Sequence, residues 1–238
     1  MTEYYDVNFW KHMSPEVHET DLKTAWLFGG SKKPFGKTLV NGIDNVITFG
    51  RDNVDYSNIE SFLKKIEDNP IEFPIPDIII FNISNNGHIL NPNKTKTSIN
   101  EIRQLTDIIN TTFYFELRLV EWFFHNFKNK RILWLTSFQP YAIEPNEDCN
   151  REGDLILYRM TRALEHQVIF QQNILKHNVD KNNFIMGTCV ANNVPGTSNY
   201  LNKIILENKM IGGVYGLNDN SPESGYVRSI AIIDLKLF

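Results

Sequence analysis

Asp77-Ile-Ile-Ile-Phe81 is a short, unbroken apolar run, and it excludes most architectures for the segment that carries it. A strand with one solvated face alternates apolar and polar side chains. A continuous run suits a central parallel strand covered on both faces. Ile132-Leu-Trp-Leu135 has the same character. Further strands are expected at Thr24 to Phe28, Asn45 to Phe49, Phe184 to Val190 and Val227 to Ile233. Helix-like segments lie between them. Asn58 to Ile66 spaces Ile59, Phe62, Leu63 and Ile66 at the helical period, and Tyr158 to His177 does so with Met160, Leu164, Val168, Ile169, Ile174 and Leu175. Phe35 to Val40 and Ser98 to Asn126 complete the set. This alternation predicts an α/β fold, a doubly wound parallel sheet with helices on both faces. No repeat or composition break divides 23–238, which is expected to be one domain. Residues 1–22 form an N-terminal extension with aromatic anchors (Tyr4, Tyr5, Phe9, Trp10) and a helix start at Ser14-Pro15-Glu16.

Bulk properties exclude several classes. At 238 residues, 42% apolar and 22% charged, the chain has the composition of a soluble globular domain with one well-buried core. A formal charge of −4 and short basic clusters (Lys32-Lys33, Lys128 to Arg131) argue against a nucleic-acid surface, which needs a concentrated basic face. Cys149 and Cys189 provide neither a disulfide framework nor metal-ligand spacing, so no metal site is expected. The N-terminus lacks the apolar stretch of a signal peptide, and no apolar run approaches the ~20 residues of a membrane span. A cytoplasmic protein is expected, in which the sequons at Asn82, Asn93 and Asn110 carry no glycosylation message.

Four polar residues stand at suggestive places. Asn110 lies in the long aromatic helix, Ser137 ends the strand-like run Lys130 to Ser137, and Tyr158-Arg-Met-Thr-Arg162 puts a cation four residues after a tyrosine on a helix. A tyrosine hydroxyl is a poor proton donor or base at neutral pH unless a nearby cation stabilises its phenolate. Each residue also has a plain structural role open to it: a strand-end cap, a satisfied amide, a half-buried aromatic. Taken in order and on these elements, the set resembles the Asn–Ser–Tyr–Lys site of the short-chain dehydrogenase/reductase family. Asn110 precedes Ser137 by 137−110 = 27 residues, as it usually does there, but Arg162 stands where the family has lysine. The resemblance implies that Tyr158 is the proton donor, Ser137 the hydrogen-bond partner of the substrate oxygen, and Asn110 the holder of a water. Arg162 supplies the charge, with a planar fork that differs from an ammonium.

The resemblance extends over about nine-tenths of the chain and implies a Rossmann-like dinucleotide site. Phe28-Gly-Gly-Ser-Lys-Lys-Pro-Phe-Gly36 resembles the family's glycine-rich turn, with Gly29, Gly30 and Gly36 retained and Pro34 at the middle glycine. Such a turn lets backbone approach a pyrophosphate, and the next helix N-terminus favours its charge. A tight turn without a ligand is the alternative. Arg51, aided by Ser31 and Lys32, would accommodate a 2′-phosphate, so NADP(H) is favoured, while Asp52 keeps NAD(H) open. Asp55 resembles the adenine-contacting aspartate. Asn82 matches the first residue of the family's Asn-Ala-Gly, which continues here as Ile83-Ser84. Pro195-Gly196-Thr197 resembles the segment that wraps the nicotinamide, with Gly187-Thr188 competing for that place. Gln139 to Gly153 reads as a surface loop over the site, and Ser198 to Gly213 as the mobile substrate-binding segment. Gly225 to Asp234 reads as the last strand, with Asp234-Leu-Lys replacing a closing Asp-Gly-Gly.

Three functions follow for comparison. The first is an NADP(H)-dependent oxidoreductase acting on a small carbonyl or alcohol. The second is a degenerate relative, a cofactor-binding or interaction protein that keeps the fold without turnover. Pro34, Ile83-Ser84, Arg162 and the absent C-terminal glycines support it. The third is an assembly protein using the aromatic-rich 113–127 helix, whose apolar residues wrap most of its circumference. That helix suits core packing plus a subunit interface, and a homodimer or homotetramer through 98–126 and 158–177 is expected.

Overall fold

In the computed structural model of the chain, the Ile78–Phe81 run is buried along its whole length and paired with a parallel strand on either side. The structure describes residues 22–30, 32–50, 52–83, 109–136, 152–175, 183–189, 197–210, 212–217 and 227–229. In chain order these form β1 (Thr24–Phe28), α1 (Pro34–Leu39), β2 (Asn45–Phe49), α2 (Ile59–Asp68) and β3 (Ile78–Phe81). A π-helical turn (Ile109–Tyr114) leads into α3 (Phe115–Asn126), followed by β4 (Arg131–Thr136), α4 (Glu152–Leu175), β5 (Phe184–Cys189), α5 (Thr197–Leu206), β6 (Gly213–Leu217) and β7 (Val227–Ser229).

The sheet order is β2-β1-β3-β4-β5-β6-β7. Every pair is parallel except β6 with β7. The doubly wound expectation is therefore met. Between β2 and β3 the described residues hold one helix and no further strand, so β2 is an edge of the sheet. The chain leaves β1 toward β2 and then returns to pair β3 on β1's other side. That reversal opens a crevice at the carboxyl ends of β1 and β3, where ligands bind in folds of this kind.

Period-two alternation sorts the strand residues between two cores. Trp26, Phe28, Ile79, Phe81, Ile132 and Trp134 face α2, α3 and α4, while Ala25, Leu27, Ile78, Ile80, Leu133 and Leu135 face α1 and α5. α2 has Ile59, Phe62 and Ile66 on its buried stripe and starts at Asn58, whose side chain accepts from Ser61 N–H at 3.0 Å. α1 is fastened from the opposite end of the chain: Asn202 Nδ2 donates to Leu39 O and Asn41 O, at 3.1 and 2.8 Å.

The C-terminal third departs from expectation. Residues 198–213, expected as a mobile segment, include α5, whose Leu201, Ile204 and Ile205 are core residues at helical spacing. Gly213–Leu217, unanticipated as a strand, is the last parallel one, and Val227–Ser229 is an antiparallel addition beyond it. Gly187 and Thr188 lie inside β5, which removes them from competition with Pro195-Gly196. α4 begins at Glu152, so the 139–153 loop ends earlier than read. Residues 1–21, the N-terminal extension, and 98–108 lie outside the described residues.

Candidate active site

The crevice between β1 and β3 is built from glycine backbone. Gly29 and Gly30 both have positive φ, +77° and +68°, which side chains rarely tolerate. Their neighbours add a second requirement: a Cβ on Gly29 would lie 2.8 Å from Asn82 O, and one on Gly30 would run into the Asn82 side-chain amide. Gly36 meets Gly30 O in the same way as α1 turns back on the strand end. Backbone bonds fix this arrangement, from Gly29 N–H to Phe49 O and from Asn82 N–H to Phe28 O, each 2.8 Å. Pro34 occupies the first turn of α1, where its missing N–H costs nothing. Glycine backbone at a topological switch point fits the pyrophosphate of a dinucleotide.

At the outer end of the crevice, Lys32 Nζ pairs with Asp52 Oδ2 at 2.6 Å. The hydrogen bond and charge of each partner raise the lysine pKa and lower that of the aspartate. Both side chains are largely exposed, so the pair is a weak, salt-screened one that a ligand charge can displace. Asp55 Oδ1 accepts from Ser57 N–H at 2.9 Å and Ser57 Oγ at 2.6 Å, closing a local turn.

The inner end is a buried polar cluster. Arg162 is 5% exposed, and its Nη1 donates to both carboxylate oxygens of Glu165, at 2.6 and 2.8 Å. Its Nη2 points to Ile83 O at 3.4 Å, next to Asn82. Thr136 Oγ1, at the end of β4, donates to Glu165 Oε2 at 2.9 Å and lies 2.9 Å from His166 Nε2. The threonine has one proton, and Glu165 receives it. The imidazole therefore donates from Nε2. Burial, and then the Arg162 charge, lower the His166 pKa to about 4, so the ring is neutral at physiological pH. Glu116, on α3, is 1% exposed. Burial and then the Glu165 charge raise its pKa well above the usual carboxylate range, against a smaller opposing pull from Arg162.

Arg162 is thus a donor within an ion pair and not a bare cation. Tyr158 lies one turn before it on α4, and Asn110 lies in the π-helical turn ahead of α3, an irregularity that concentrates at functional sites. The side chains of Asn110 and Tyr158, and that of Thr197 at the start of α5, lie outside the described residues, as do Ser31, Arg51, Ser137, Pro195 and Gly196 altogether. Glu116, Thr136, Glu165 and His166 were missed in the sequence, although a signal existed. Glu165 and His166 precede Val168 and Ile169 on the apolar stripe of α4, and Glu116 precedes Leu119 and Val120 on that of α3. Ionisable residues on a core-facing stripe announce a buried network.

No protein-family model and no curated protein sequence matches the chain. Solved structures do match it. A short-chain dehydrogenase from Bacillus anthracis superposes with a TM-score of 0.59 at 12% identity, over 84% of this chain and 96% of that one. A 3-ketoacyl-(acyl-carrier-protein) reductase from Brucella melitensis complexed with NADH gives 0.52 at 16% identity, over 70% and 74%. A GDP-L-fucose synthetase from Naegleria fowleri bound to NADP gives 0.54 at 13% identity, over 84% and 78%. The chain has the fold of the short-chain dehydrogenases/reductases.

Proposed function

We propose that the protein is a cytoplasmic oxidoreductase of the short-chain dehydrogenase/reductase family that uses NADP(H) in preference to NAD(H) on a small carbonyl or alcohol substrate. One observation carries this most directly. Contacts run unbroken from the glycine turn at Gly30, through Asn82, to Ile83 O and the Arg162 guanidinium. This supports a reading in which a dinucleotide crevice and the helix that carries Tyr158 share one edge of the sheet.

A nicotinamide dinucleotide bound along this edge supplies the hydride. Gly29, Gly30 and Gly36 would hold its pyrophosphate, with Pro195, Gly196 and Thr197 closing over the nicotinamide end and Asp55 near the adenine. In this reading Ser137 binds the substrate oxygen, Tyr158 gives or takes the proton, and Asn110 orders a water. Arg162 holds positive charge one helical turn from the tyrosine. Ser31, Lys32 and Arg51 would receive a 2′-phosphate, and the Lys32–Asp52 pair supports this by neutralising the carboxylate that would repel it. NADPH should therefore bind about tenfold more tightly than NADH, the scale of one charge-assisted contact. Equal affinities in a fluorescence titration, or an undiminished preference in Arg51→Ala, would refute the cofactor assignment.

One observation favours a second reading, cofactor binding without turnover: Glu165 compensates the charge that should activate Tyr158. A broad carbonyl panel with NADPH separates the two.

The protein is further proposed to form a homodimer or homotetramer through α3 and α4. Most of the aromatic excess of α3 is spent in the core, but Tyr114 beside it and Leu164 on α4 remain 46% and 42% exposed. Sedimentation at micromolar concentration should show a dimer or larger species, and a monomer there would overturn the proposal.

A further inference from the structure

Glu116 lies on the core-facing side of α3, and among the described residues neither of its carboxyl oxygens has a hydrogen-bond partner. Its surroundings are apolar on its own helix, where Phe115, Leu119 and Val120 are fully buried. Among the described residues, the charges acting on Glu116 come from α4, from Arg162 and Glu165, which pair with each other; His166, next to Glu165, is neutral. The Thr136 hydroxyl of β4 is bonded to Glu165, and the charged residues of α2 (Glu60, Lys64, Lys65, Glu67, Asp68) are exposed. Two buried carboxyls therefore share one guanidinium. With both ionised the cluster would hold an uncompensated negative charge in an apolar core, which is strongly disfavoured.

We propose that Glu165 is the positioning residue of Arg162 and that Glu116 is its reserve counter-ion, ionising only when the Glu165 charge is withdrawn. The contact geometry explains the division. Glu165 grips Nη1 with both oxygens and is itself fixed by the Thr136 hydroxyl, while Glu116 has no such bonds and keeps its proton. This holds Arg162 where Nη2 faces Ile83 O and leaves the cluster electrically neutral under the site. Where it concerns catalysis, the inference rests on Arg162 replacing the family's lysine.

Infrared spectroscopy of the apoprotein in D₂O tests the cluster without turnover. The wild type at pH 7 should show the carbonyl band of a buried protonated carboxylic acid, and Glu116→Gln should abolish it. In Glu165→Gln the band should also vanish, because Arg162 then draws Glu116 into ionisation. In the double variant Arg162→Gln/Glu165→Gln, with no cation left to pair, the band should return. Absence of the band in wild type, or its survival in Glu116→Gln or Glu165→Gln, overturns the proposal. Should Glu165→Gln fail to fold, the wild type, Glu116→Gln and the double variant still decide, and loss of the band in the double variant counts against it. For the active enzyme, Glu165→Gln alone leaves Arg162 compensated by Glu116, and only the double variant Glu116→Gln/Glu165→Gln unmasks the Arg162 charge. The pH of half-maximal alcohol oxidation should then fall by about one unit, whereas a merely structural role would lower kcat without moving the profile. A protein inert with every substrate refutes the oxidoreductase reading and leaves the infrared result to judge the cluster.

Discussion

Replacing Tyr158 by phenylalanine should lower kcat by ~10²-fold or more, with cofactor affinity little changed, the scale expected when a positioned proton donor is removed. The substitution deletes one oxygen from a residue near the start of the described helix α4 and keeps the ring. The measurement is a steady-state comparison in both directions with NADPH and NADP⁺. Equal and negligible rates for wild type and variant across a broad carbonyl panel would reject the reductase assignment and leave a cofactor-binding protein. A large KM effect with unchanged kcat would assign the hydroxyl to substrate binding instead.

Arg162→Ala should destabilise the protein by about 3–5 kcal/mol at neutral pH, the usual cost of breaking a buried ion pair from one side. Roughly 10 °C in Tm is the corresponding shift for a chain of this size. The reason is local. Glu165 would keep its burial and its Thr136 contact but lose the guanidinium that both of its oxygens receive. Arg162→Lys is the informative companion. An ammonium preserves the charge beside Glu165 but cannot also present a second nitrogen to Ile83 O, so stability should be largely retained while activity falls. Denaturant titrations at pH 5 and pH 8 separate the two variants. An Arg162→Ala protein as stable as wild type at both would show that the pair is not a structural element.

What lay open in the sequence was the scaffold, because burial leaves a periodic trace. Unbroken apolar runs at Ile78–Phe81 and Ile132 to Leu135 read as strands covered on both faces, and the Ile59–Phe62–Ile66 stripe reads as a helix against them. The tyrosine and its basic neighbour at i+4 were equally open, since one helical turn is a local relation. The C-terminal third was less so. Gly213-Val-Tyr-Gly-Leu217 is short and glycine-bearing, too weak a pattern to outweigh the longer apolar run near the terminus, and only its pairing on β5 identifies it as the last parallel strand.

The charge state of the site was decided by the tertiary structure alone. Glu116, Thr136 and Glu165 come from α3, β4 and α4, and spacing along the chain says nothing of which buried groups will meet. By itself the sequence determined where a sheet, a glycine turn and a tyrosine-bearing helix must form, because apolar period and backbone freedom are written residue by residue. Packing determined that the Arg162 charge is already compensated by Glu165, since electrostatics in a core depends on three-dimensional neighbours and on the exclusion of water around them.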